Sequence, residues 1–337
     1  MHPGQDVFFL MVTKDQLLVY LKEKRRTWIS GELLSDELSV SRSAVWKHIR
    51  KLREEGYVIE SSPKKGYLLR RDSDLLLPNE IRQGLNTKVF GKKDIEYSKE
   101  IDSTNTKAKD LAQRGAPEGT VVIAEKQTNG RGRRGRIWLS PEGDGIYATL
   151  ILRPAMSPGG APKITLMTAV AVAEALLSLV QIDIRIKWPN DILVNGRKLA
   201  GILTEITADM DAVNYIVVGL GLNVNTRSES FSEEIGKIAT SIYIETGEQL
   251  SRARLIRAYL EQFEKYYKMF TQNEFAAIMG RWKQLSGFIG QKVMVDVMGQ
   301  NYIGEVSDID DDGVLILKDD QGRSRRIFSG DVIPVNP

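Results

Sequence analysis

The segment that most constrains this chain is residues 130–136, Gly-Arg-Gly-Arg-Arg-Gly-Arg, in which four arginines and three glycines occupy seven positions. Glycine lets the backbone take a positive φ or approach a ligand closely. Arginine carries a permanent charge on a planar fork that matches carboxylate or phosphate oxygens two at a time. Because the four like charges repel one another, we predict a loop that binds an anion.

Other interpretations of this segment are weaker. The glycine spacing fits the dinucleotide-binding fingerprint, which needs a strand before it and a helix that begins within it. Residues 120–124 are typical of a strand, but Pro141 and Gly143 follow the loop in place of a helix start, and no Gly-Lys-Ser/Thr closes a P-loop. A basic surface loop for nucleic acid is the remaining alternative, and it is disfavoured because Gln127 and Trp138 are expected to be buried nearby.

Composition narrows the class of protein. The chain has 337 residues, 42% of them hydrophobic, which is enough for two or three globular domains. It has no cysteine, and its two histidines are His2 and His48, which argues against disulfides, a cysteine nucleophile, a histidine metal cluster and a Ser-His-Asp triad. The apolar run at 7–12 is short for a signal peptide, and no stretch is long enough to span a membrane, so we expect a cytoplasmic protein.

A basic N-terminal region precedes a nearly neutral body. Residues 1–71 carry 14 Lys and Arg against 9 Asp and Glu, whereas the rest of the chain carries 33 against 35. Helices are predicted over 15–24, over 31–38 after a Ser30 cap, and after a Ser41 cap. The third helix places three apolar residues at helical spacing, which predicts that they face the core: Val45, Ile49 and Leu52.

Three helices followed by a basic hairpin are typical of a winged helix-turn-helix. Strands are predicted at 57–60 and 67–70, so the third helix is expected in the major groove and the hairpin turn on the DNA backbone. A small helical cap with a solvated basic face is the alternative, and the uneven charge disfavours it. The residues predicted to contact DNA are Ser41, Arg42, Ser43, Lys47, Arg50, Lys64 and Lys65.

The rest of the chain predicts two further domains, so that the boundaries are 1–71, 72–286 and 287–337, with a linker at 71–79. Asn195-Gly196 is a strong hairpin signal. From residue 290, short alternating runs between Gly and Asp turns predict a small barrel of about five strands. In the central domain we predict helices at 105–114 (capped by Asp102 or Ser103), 161–180, 251–270 and 273–285, and strands at 120–125, 145–152, 184–188, 192–194, 197–205 and 215–219.

Three more segments carry chemistry-bearing side chains at predicted strand ends and loops, where α/β proteins place their sites. Residues 187–191 read Lys-Trp-Pro-Asn-Asp, residues 198–201 read Lys-Leu-Ala-Gly, and residues 102–105 read Asp-Ser-Thr-Asn. Taken singly, Lys187 is most simply a solvated strand residue and Asp191 a turn former. Their clustering favours a site.

The chain resembles the bifunctional biotin–protein ligases that also repress the biotin operon. The residues that carry this resemblance are 102–105, Gln127, 130–136, Trp138, 187–191, 198–205 and 219–223. The resemblance covers the chain from about residue 12. It implies an α+β protein with an N-terminal winged helix-turn-helix, a central mixed α/β catalytic domain of the biotin/lipoate ligase type, and a C-terminal small SH3-like β-barrel.

The resemblance implies two reaction steps. Biotin and ATP form biotinyl-5′-AMP and pyrophosphate, and the biotinyl group then passes to a lysine of a biotin carboxyl carrier protein. A carboxylate is ionised at neutral pH and needs no general base, while arginines, a lysine and Mg²⁺ offset its repulsion from the α-phosphate. The further partners implied are operator DNA and a second copy of the chain, in a homodimer favoured by biotinyl-AMP, and no membrane.

The resemblance also assigns roles to residues; it implies that Asn223 binds a phosphate or Mg²⁺, and it leaves the metal ligands unassigned. The catalytic residues implied are Lys198, Arg133 and Asp191. The biotin-binding residues implied are Ser103, Thr104, Asn105, Gln127, Gly130, Arg131, Arg133 and Lys198. The ATP-binding residues implied are Arg133, Arg136, Trp138, Lys198 and Asn223.

Two alternatives of other classes stay open at this point. A lipoate-type ligase would use the same chemistry on another ring-bearing acid, and the acid that supports ATP–pyrophosphate exchange separates the two. A repressor that only senses its ligand would not need Lys198 and Arg133, both of which are present.

Overall fold

The structure is a computed structural model that describes residues 14–24, 26–71 and 74–335. The chain divides into two compact units, Met1–Asn79 and Glu80–Pro337. The apolar run at 7–12 and residues 72–73 of the predicted linker lie outside the described residues. The three-domain boundaries remain a prediction, because the third predicted domain falls inside the second compact unit.

The first unit contains three helices and a two-stranded hairpin. They are α1 (Lys14–Glu23), α2 (Gly31–Glu37), α3 (Arg42–Glu54), β1 (Val58–Ser62) and β2 (Gly66–Arg71). Both predicted caps form, because the hydroxyl of Ser30 accepts from the backbone N–H of Leu33 at 3.0 Å and that of Ser41 from Ala44 at 3.2 Å. The three apolar residues of α3 predicted to face the core are all buried.

The hairpin is held to the helices by backbone pairing. Ile29, which precedes α2, exchanges two hydrogen bonds with Tyr67 of β2, at 2.9 and 2.8 Å. Gly66 lies beside this pairing with φ of 92°, and a Cβ there would lie 2.0 Å from the carbonyl oxygen of Ile29. Glycine is therefore required where the hairpin turn meets the helical part of the unit.

A seven-stranded mixed sheet forms the centre of the second unit, in the order β3-β4-β5-β9-β8-β7-β6. Only the β3–β4 pair is parallel. The strands are β3 (Ile95–Ile101), β4 (Val121–Gln127), β5 (Gly145–Leu152), β6 (Ile184–Lys187), β7 (Asp191–Val194), β8 (Arg197–Ala208) and β9 (Val213–Asn223).

Helices cover the sheet. They are α4 (Pro78–Arg82), α5 (Thr104–Gln113), α6 (Ala161–Leu177), α7 (Glu233–Ile238), α8 (Ile242–Thr246), α9 (Arg252–Thr271) and α10 (Phe275–Leu285). The expectation that no stretch is long enough to span a membrane was wrong: among the described residues one segment that contains α6, Pro158–Leu177, has the length and apolar composition of a span, although 67% of its most apolar window is buried inside the fold. α6 packs against α9 and α10 and is the central helix of the core.

The C-terminal part forms a separate antiparallel sheet of five strands, as predicted, in the order β13-β12-β11-β10-β14. Its strands are β10 (Lys292–Val297), β11 (Gln300–Ile309), β12 (Leu315–Lys318), β13 (Ser324–Ile327) and β14 (Asp331–Pro334). The turn before β12 packs on the central domain, where the indole N–H of Trp188 donates to the carbonyl of Gly313 at 3.1 Å.

The sequence patterns missed β3 and the short helices α4, α7 and α8. β3 carries Glu96, Lys99 and Glu100 and has no regular alternation of buried and exposed residues, so its periodicity gives no strand signal. The predicted cap of α5 was also incomplete. Ser103 occupies the N-cap position and is 3% exposed, but its side chain makes no cap hydrogen bond.

Candidate active site

Residues 130–136, the arginine loop, form a tight hairpin after β4. Arg131 pairs with Ile137 as an isolated bridge, and the N–H of Gly132 donates to the carbonyl of Arg136 at 2.7 Å. The N–H of Trp138 donates to the carbonyl of Gly130 at 2.9 Å, which closes the base of the loop. The guanidinium groups therefore project from a defined backbone.

Gly130 is the position in this loop where a side chain has no room. A Cβ there would lie 2.4 Å from the backbone oxygen of Trp138 and 2.8 Å from the hydroxyl of Ser140. The backbone oxygen cannot move aside, because it belongs to the strand-like leg of the hairpin. The absence of a side chain at Gly130 thus sets the path of the loop.

Carboxylates of the C-terminal sheet contact the arginine loop, a feature that the sequence patterns did not reveal. Arg134 lies 2.8 Å from Asp296 of β10, and Arg136 lies 2.6 Å from Asp331 of β14. Arg133 lies 3.9 Å from Asp331 and donates to the amide oxygen of Asn190 at 3.0 Å. These contacts offset part of the repulsion among the arginines.

A polar network joins the start of α5 to the strand before the arginine loop. The backbone N–H and the hydroxyl of Thr104 lie 2.9 and 3.1 Å from the amide oxygen of Gln127. The amide nitrogen of Gln127 donates to Ser140 at 2.9 Å. Ser103 and Thr104 are almost fully buried, so this network forms a fixed set of donors and acceptors at the edge of the sheet.

Asn105 extends this network across the sheet. Its amide nitrogen donates to the Glu205 carboxylate at 2.8 Å, and its amide oxygen lies 2.7 Å from the hydroxyl of Thr149. Burial raises the pKa of Glu205, but hydrogen bonds from Lys109 and Asn105 lower it more, so that the net pKa lies below its ordinary value. Gly219 makes room for Asn105, because a Cβ there would lie 2.1 Å from the amide oxygen.

Lys198 and Asp191 form an ion pair between β8 and β7, with Nζ 2.7 Å from Oδ1. The two charges are close, but their angles do not meet those of a hydrogen bond. The buried Oδ1 of Asp191 therefore accepts no hydrogen bond from the described residues. The connecting turn has the predicted geometry, since Asn195 and Gly196 both have positive φ, 50° and 75°. The backbone of Lys198 is held separately, because its carbonyl accepts from the N–H of Thr240 at 2.9 Å.

Trp138 lies flat on the sheet beside this ion pair. A Cβ on Gly221 would lie 2.5 Å from its ring, and one on Gly201 would lie 3.1 Å away. The ammonium of Lys198 stands 5.4 Å from the ring centroid, within the range of a cation–π contact. The indole nitrogen is buried and has no hydrogen-bond partner among the described residues.

Asn223 closes β9 at the same edge of the sheet. It is 5% exposed, and its amide nitrogen donates to the carbonyl of Thr240 at 3.0 Å. The backbone N–H of Thr240 also donates to the carbonyl of Lys198, so Thr240 holds both of the predicted site residues Asn223 and Lys198 in place. No group of three or more His, Cys, Asp or Glu side chains in the described part of the chain could hold a metal ion.

The predicted site residues thus fall into connected groups around one edge of the sheet. Lys198 contacts Asp191 and Trp138, and Arg133 reaches Asn190, next to Asp191 in the chain. Arg131 instead turns toward α5, where it donates to Thr106 at 2.6 Å. The sequence patterns missed several residues that support these groups, among them Thr149, Ser140 and Asp331. Thr149 and Asp331 lie on strands far from the arginine loop in the chain, so no local pattern identifies them.

The predicted DNA-contacting residues all lie on the surface of the first unit. Each side chain is exposed, and Ser41 also caps α3. Trp46, which the prediction omitted, lies on the same helix and is 52% exposed, with the Arg50 guanidinium 5.4 Å from its ring. An exposed aromatic residue among basic ones suits contact with bases as well as phosphates.

Comparison with known proteins shows which families this chain is similar to. The family model "Biotin/lipoate A/B protein ligase family" matches residues 97–223, "HTH domain" matches 13–68, and "Biotin protein ligase C terminal domain" matches 288–333. "Bifunctional ligase/repressor BirA" of Bacillus spizizenii is 42% identical over 95% of this chain and 98% of its own length. The protein of the same name from Escherichia coli is 33% identical over 86% of this chain and 88% of its own.

The fold agrees with these matches. "Biotin protein ligase from Aquifex aeolicus in complex with biotin and ATP" superposes with a TM-score of 0.62 at 29% identity, covering 71% of this chain and 97% of that chain. A mixed sheet that carries the arginine loop, joined to a helix-turn-helix and a small β-domain, defines a ligase with a DNA-binding domain. The chain belongs to the family of bifunctional biotin ligases and repressors.

Proposed function

We propose that the chain joins biotin to AMP at the arginine loop and then transfers biotin to a lysine of a carrier protein. The Lys198–Asp191 pair beside the loop is the observation that carries this proposal. In the first step an oxygen of the biotin carboxylate bonds to the α-phosphorus of ATP, and pyrophosphate leaves. Lys198 and Arg133 offset the charge that collects between carboxylate and phosphate in the transition state.

The polar network at the start of α5 is the proposed site for the ring end of biotin. The ureido group of biotin is polar at both ends, and the side chains of Ser103, Thr104, Asn105 and Gln127 offer donors and acceptors in fixed positions. An analogue that lacks one of these polar atoms would leave a buried partner unpaired. Gly130 and the backbone at Arg131 complete this site by their position beside Gln127.

ATP is proposed to bind between Trp138 and the phosphate-binding groups Arg133, Arg136 and Lys198. Mg²⁺ supplies charge neutralisation for ATP phosphates when it is bound. The described residues contain no all-protein metal site, which suits an ion held mainly by phosphates and water with one or two protein oxygens. Asn223 fits the role of such a protein ligand. Its amide nitrogen donates to the carbonyl of Thr240, whereas its amide oxygen accepts no hydrogen bond from the described residues.

In the second step the amine of the acceptor lysine attacks the biotinyl carbonyl, and AMP leaves. The acceptor must lose a proton before or during the attack. Asp191 is proposed to orient Lys198 or to assist the incoming amine, because its Oδ1 has no directed hydrogen bond at the site. The carrier protein is proposed as the acceptor because the relatives include enzymes named biotin–[acetyl-CoA-carboxylase] ligase.

We further propose that the first unit binds operator DNA through α3 and the hairpin turn, as a homodimer favoured by biotinyl-AMP. A single winged helix reads one half-site, and a two-fold operator therefore requires two copies of the chain. The exposed basic face of α3 supports DNA binding by this unit. The proposed location is the cytoplasm, where both the operator and the carrier protein would be available.

Biotin-dependent ATP–pyrophosphate exchange tests the enzymatic proposal. We expect exchange of labelled pyrophosphate into ATP with biotin and none with lipoate or octanoate. Exchange with lipoate alone would replace the proposal by a lipoate-type ligase. Absence of exchange with every acid, with biotin still bound, would indicate a repressor that only senses biotin.

A further inference from the structure

Lys187 stands at the end of β6, directly opposite Asp191 in the β6–β7 pairing. It is half-buried, and its ammonium makes no hydrogen bond or ion pair with any residue in the part of the chain that the structure describes. Burial lowers its pKa, and the surrounding charges that also act on it are those of Asp191, Lys198, Asp331 and Arg136. Lys187 therefore lies among the charged groups of the proposed active site.

The neighbouring carboxylates are already engaged by other cations. Asp191 pairs with Lys198 at 2.7 Å, and Asp331 contacts Arg136 at 2.6 Å. A half-buried ammonium without a close counter-charge is unfavourable, because it has lost part of its water without gaining an ion pair. An anionic ligand that reaches Lys187 would remove this cost.

We propose that Lys187 holds the departing pyrophosphate of ATP. This inference rests on the proposed adenylation. It gives a role to Lys187, which has none in the function proposed above. In that reaction the carboxylate oxygen bonds to the α-phosphorus, and the bond to the oxygen bridging the α- and β-phosphorus breaks. The bridging oxygen leaves with the electron pair on pyrophosphate, so negative charge grows on the leaving group, and no proton transfer is needed.

The position and chemistry of Lys187 favour pyrophosphate over the other anions of the reaction. Lys198 and Arg133 are proposed for the carboxylate and the α-phosphate, which leaves the β- and γ-phosphates for other cations, and Lys187 lies near enough to both Lys198 and Arg136 for their charges to act on it. Lysine presents a compact charge with rotatable donors, which suits a leaving group that moves during the reaction. Pyrophosphate also carries more negative charge than the biotin carboxylate or the adenylate.

The test separates the two half-reactions in the full-length protein. Lys187→Gln should raise the KM for pyrophosphate in biotin-dependent exchange about tenfold or more, the effect of losing about 1.4 kcal/mol of binding. Its affinity for biotin should be unchanged, which also shows that the variant is folded. Transfer of biotin from pre-formed biotinyl-5′-AMP to the carrier should proceed at the wild-type rate, because that step involves no pyrophosphate.

Arg185→Gln is the matched control. Arg185 lies two residues before Lys187 on the same face of β6, but it is exposed and pairs with Asp183 at 2.9 Å. This variant should leave the KM for pyrophosphate unchanged. Lys187→Arg should restore part of the lost affinity, since it keeps the charge at this position.

The pH dependence provides a second readout. A lysine with a lowered pKa holds its proton, and hence its anion, below that pKa and loses both as the pH rises through it. The wild-type KM for pyrophosphate should therefore rise at a pH below 10.5, the ordinary lysine pKa. Lys187→Arg should lack this alkaline rise, because guanidinium stays protonated.

Two results would contradict the role of Lys187 in holding pyrophosphate and would leave the proposed function intact. One is a wild-type KM for pyrophosphate in Lys187→Gln while the wild-type enzyme exchanges normally. The other is equal slowing of exchange and of transfer from pre-formed adenylate, which would place Lys187 on the adenylate or the carrier. Absence of exchange in the wild-type protein would instead refute the proposed function itself.

Discussion

Single residues at the site are constrained by partners from several strands. Lys198 faces Asp191 and the ring of Trp138, and its backbone is tied to Thr240. These contacts position the ammonium before any ligand arrives. A preorganised charge stabilises a transition state without reorganisation at the moment of reaction. Lys198 is therefore the side chain whose loss should most affect the chemistry.

We predict that Lys198→Ala slows adenylate formation about 10²–10³-fold, the range for removing one preorganised stabiliser of developing charge. Biotin binding should remain measurable, because the ring end of biotin is proposed to bind at α5. Single-turnover formation of biotinyl-AMP and calorimetric titration with biotin measure the two effects. Wild-type turnover in this variant would contradict the catalytic role of Lys198, and Lys292→Ala, an exposed lysine of β10, serves as the control.

At the scale of elements, the arginine loop is a hairpin whose shape depends on its glycines unequally. Gly130 has no space for a Cβ, whereas a Cβ on Gly132 would meet only atoms of Arg136, at 3.5 and 3.7 Å. Gly132 has φ of −108°, which any residue adopts. The two glycines occupy the same short motif but are subject to different constraints.

Alanine at each of these two positions gives a paired prediction. Gly130→Ala should destabilise the loop by about 1–3 kcal/mol, the usual cost of overpacking, and should slow adenylation. Gly132→Ala should retain activity, and it should gain up to about 1 kcal/mol by restricting the unfolded chain. Thermal unfolding and exchange kinetics of both variants check this. Equal loss of activity in the two would show that close packing is not what distinguishes them.

At the scale of the whole molecule, the DNA-binding unit and the unit with the proposed active site are separate compact bodies of the chain. The proposed biotin and ATP sites use residues of the second unit alone. The residues proposed to contact DNA all belong to the first. Each activity therefore has its own structural unit, although linkage can still couple them thermodynamically.

A chain lacking residues 1–71 should still form biotinyl-AMP but should lose specific DNA binding. The reason is that it retains every proposed catalytic residue and lacks α3 and the hairpin. Exchange assays and operator titrations measure both properties, and a full-length chain with Lys47→Ala and Lys64→Ala provides a folded control for DNA binding. Operator binding by the chain that lacks residues 1–71 would show that the first unit does not recognise the operator. A modest change in biotin affinity would not contradict the prediction.

Biotinyl-AMP should favour a homodimer that binds DNA better than the ligand-free protein. The adenylate phosphate neutralises arginines of the loop, and its biotin end contacts the network at α5, so binding is expected to stabilise the hairpin conformation of residues 126–137. DNA binding should tighten adenylate binding by the same factor, because coupling between two ligands is reciprocal. Sedimentation with and without biotinyl-AMP, alongside a DNA titration, measures this coupling. If dimer fraction and DNA affinity are both indifferent to the adenylate, the regulatory proposal is wrong.

Much of the architecture followed from local patterns in the sequence. Apolar periodicity predicted α3 and its buried face, and Asn195-Gly196 predicted the β7–β8 hairpin. The five strands of the C-terminal sheet were also predicted, because Gly and Asp turns separate them clearly. Such features depend on backbone preferences and on spacing within one element, so the sequence alone determines them.

Only the tertiary structure decided which residues meet around the arginine loop. Asp331 contacts Arg136 although almost 200 positions of sequence separate them. Glu205 of β8 accepts a hydrogen bond from Asn105 of α5, 100 positions away. The order of the strands and the packing of the C-terminal sheet create these contacts. No periodic pattern in the sequence predicts either of them. Lys187 shows the same limit, because the sequence pattern predicts a solvated strand residue, whereas in the structure, where β6 pairs with β7, its side chain is half-buried. The sequence determined the elements and the kind of ligand, whereas long-range packing determined the charge environment of each side chain.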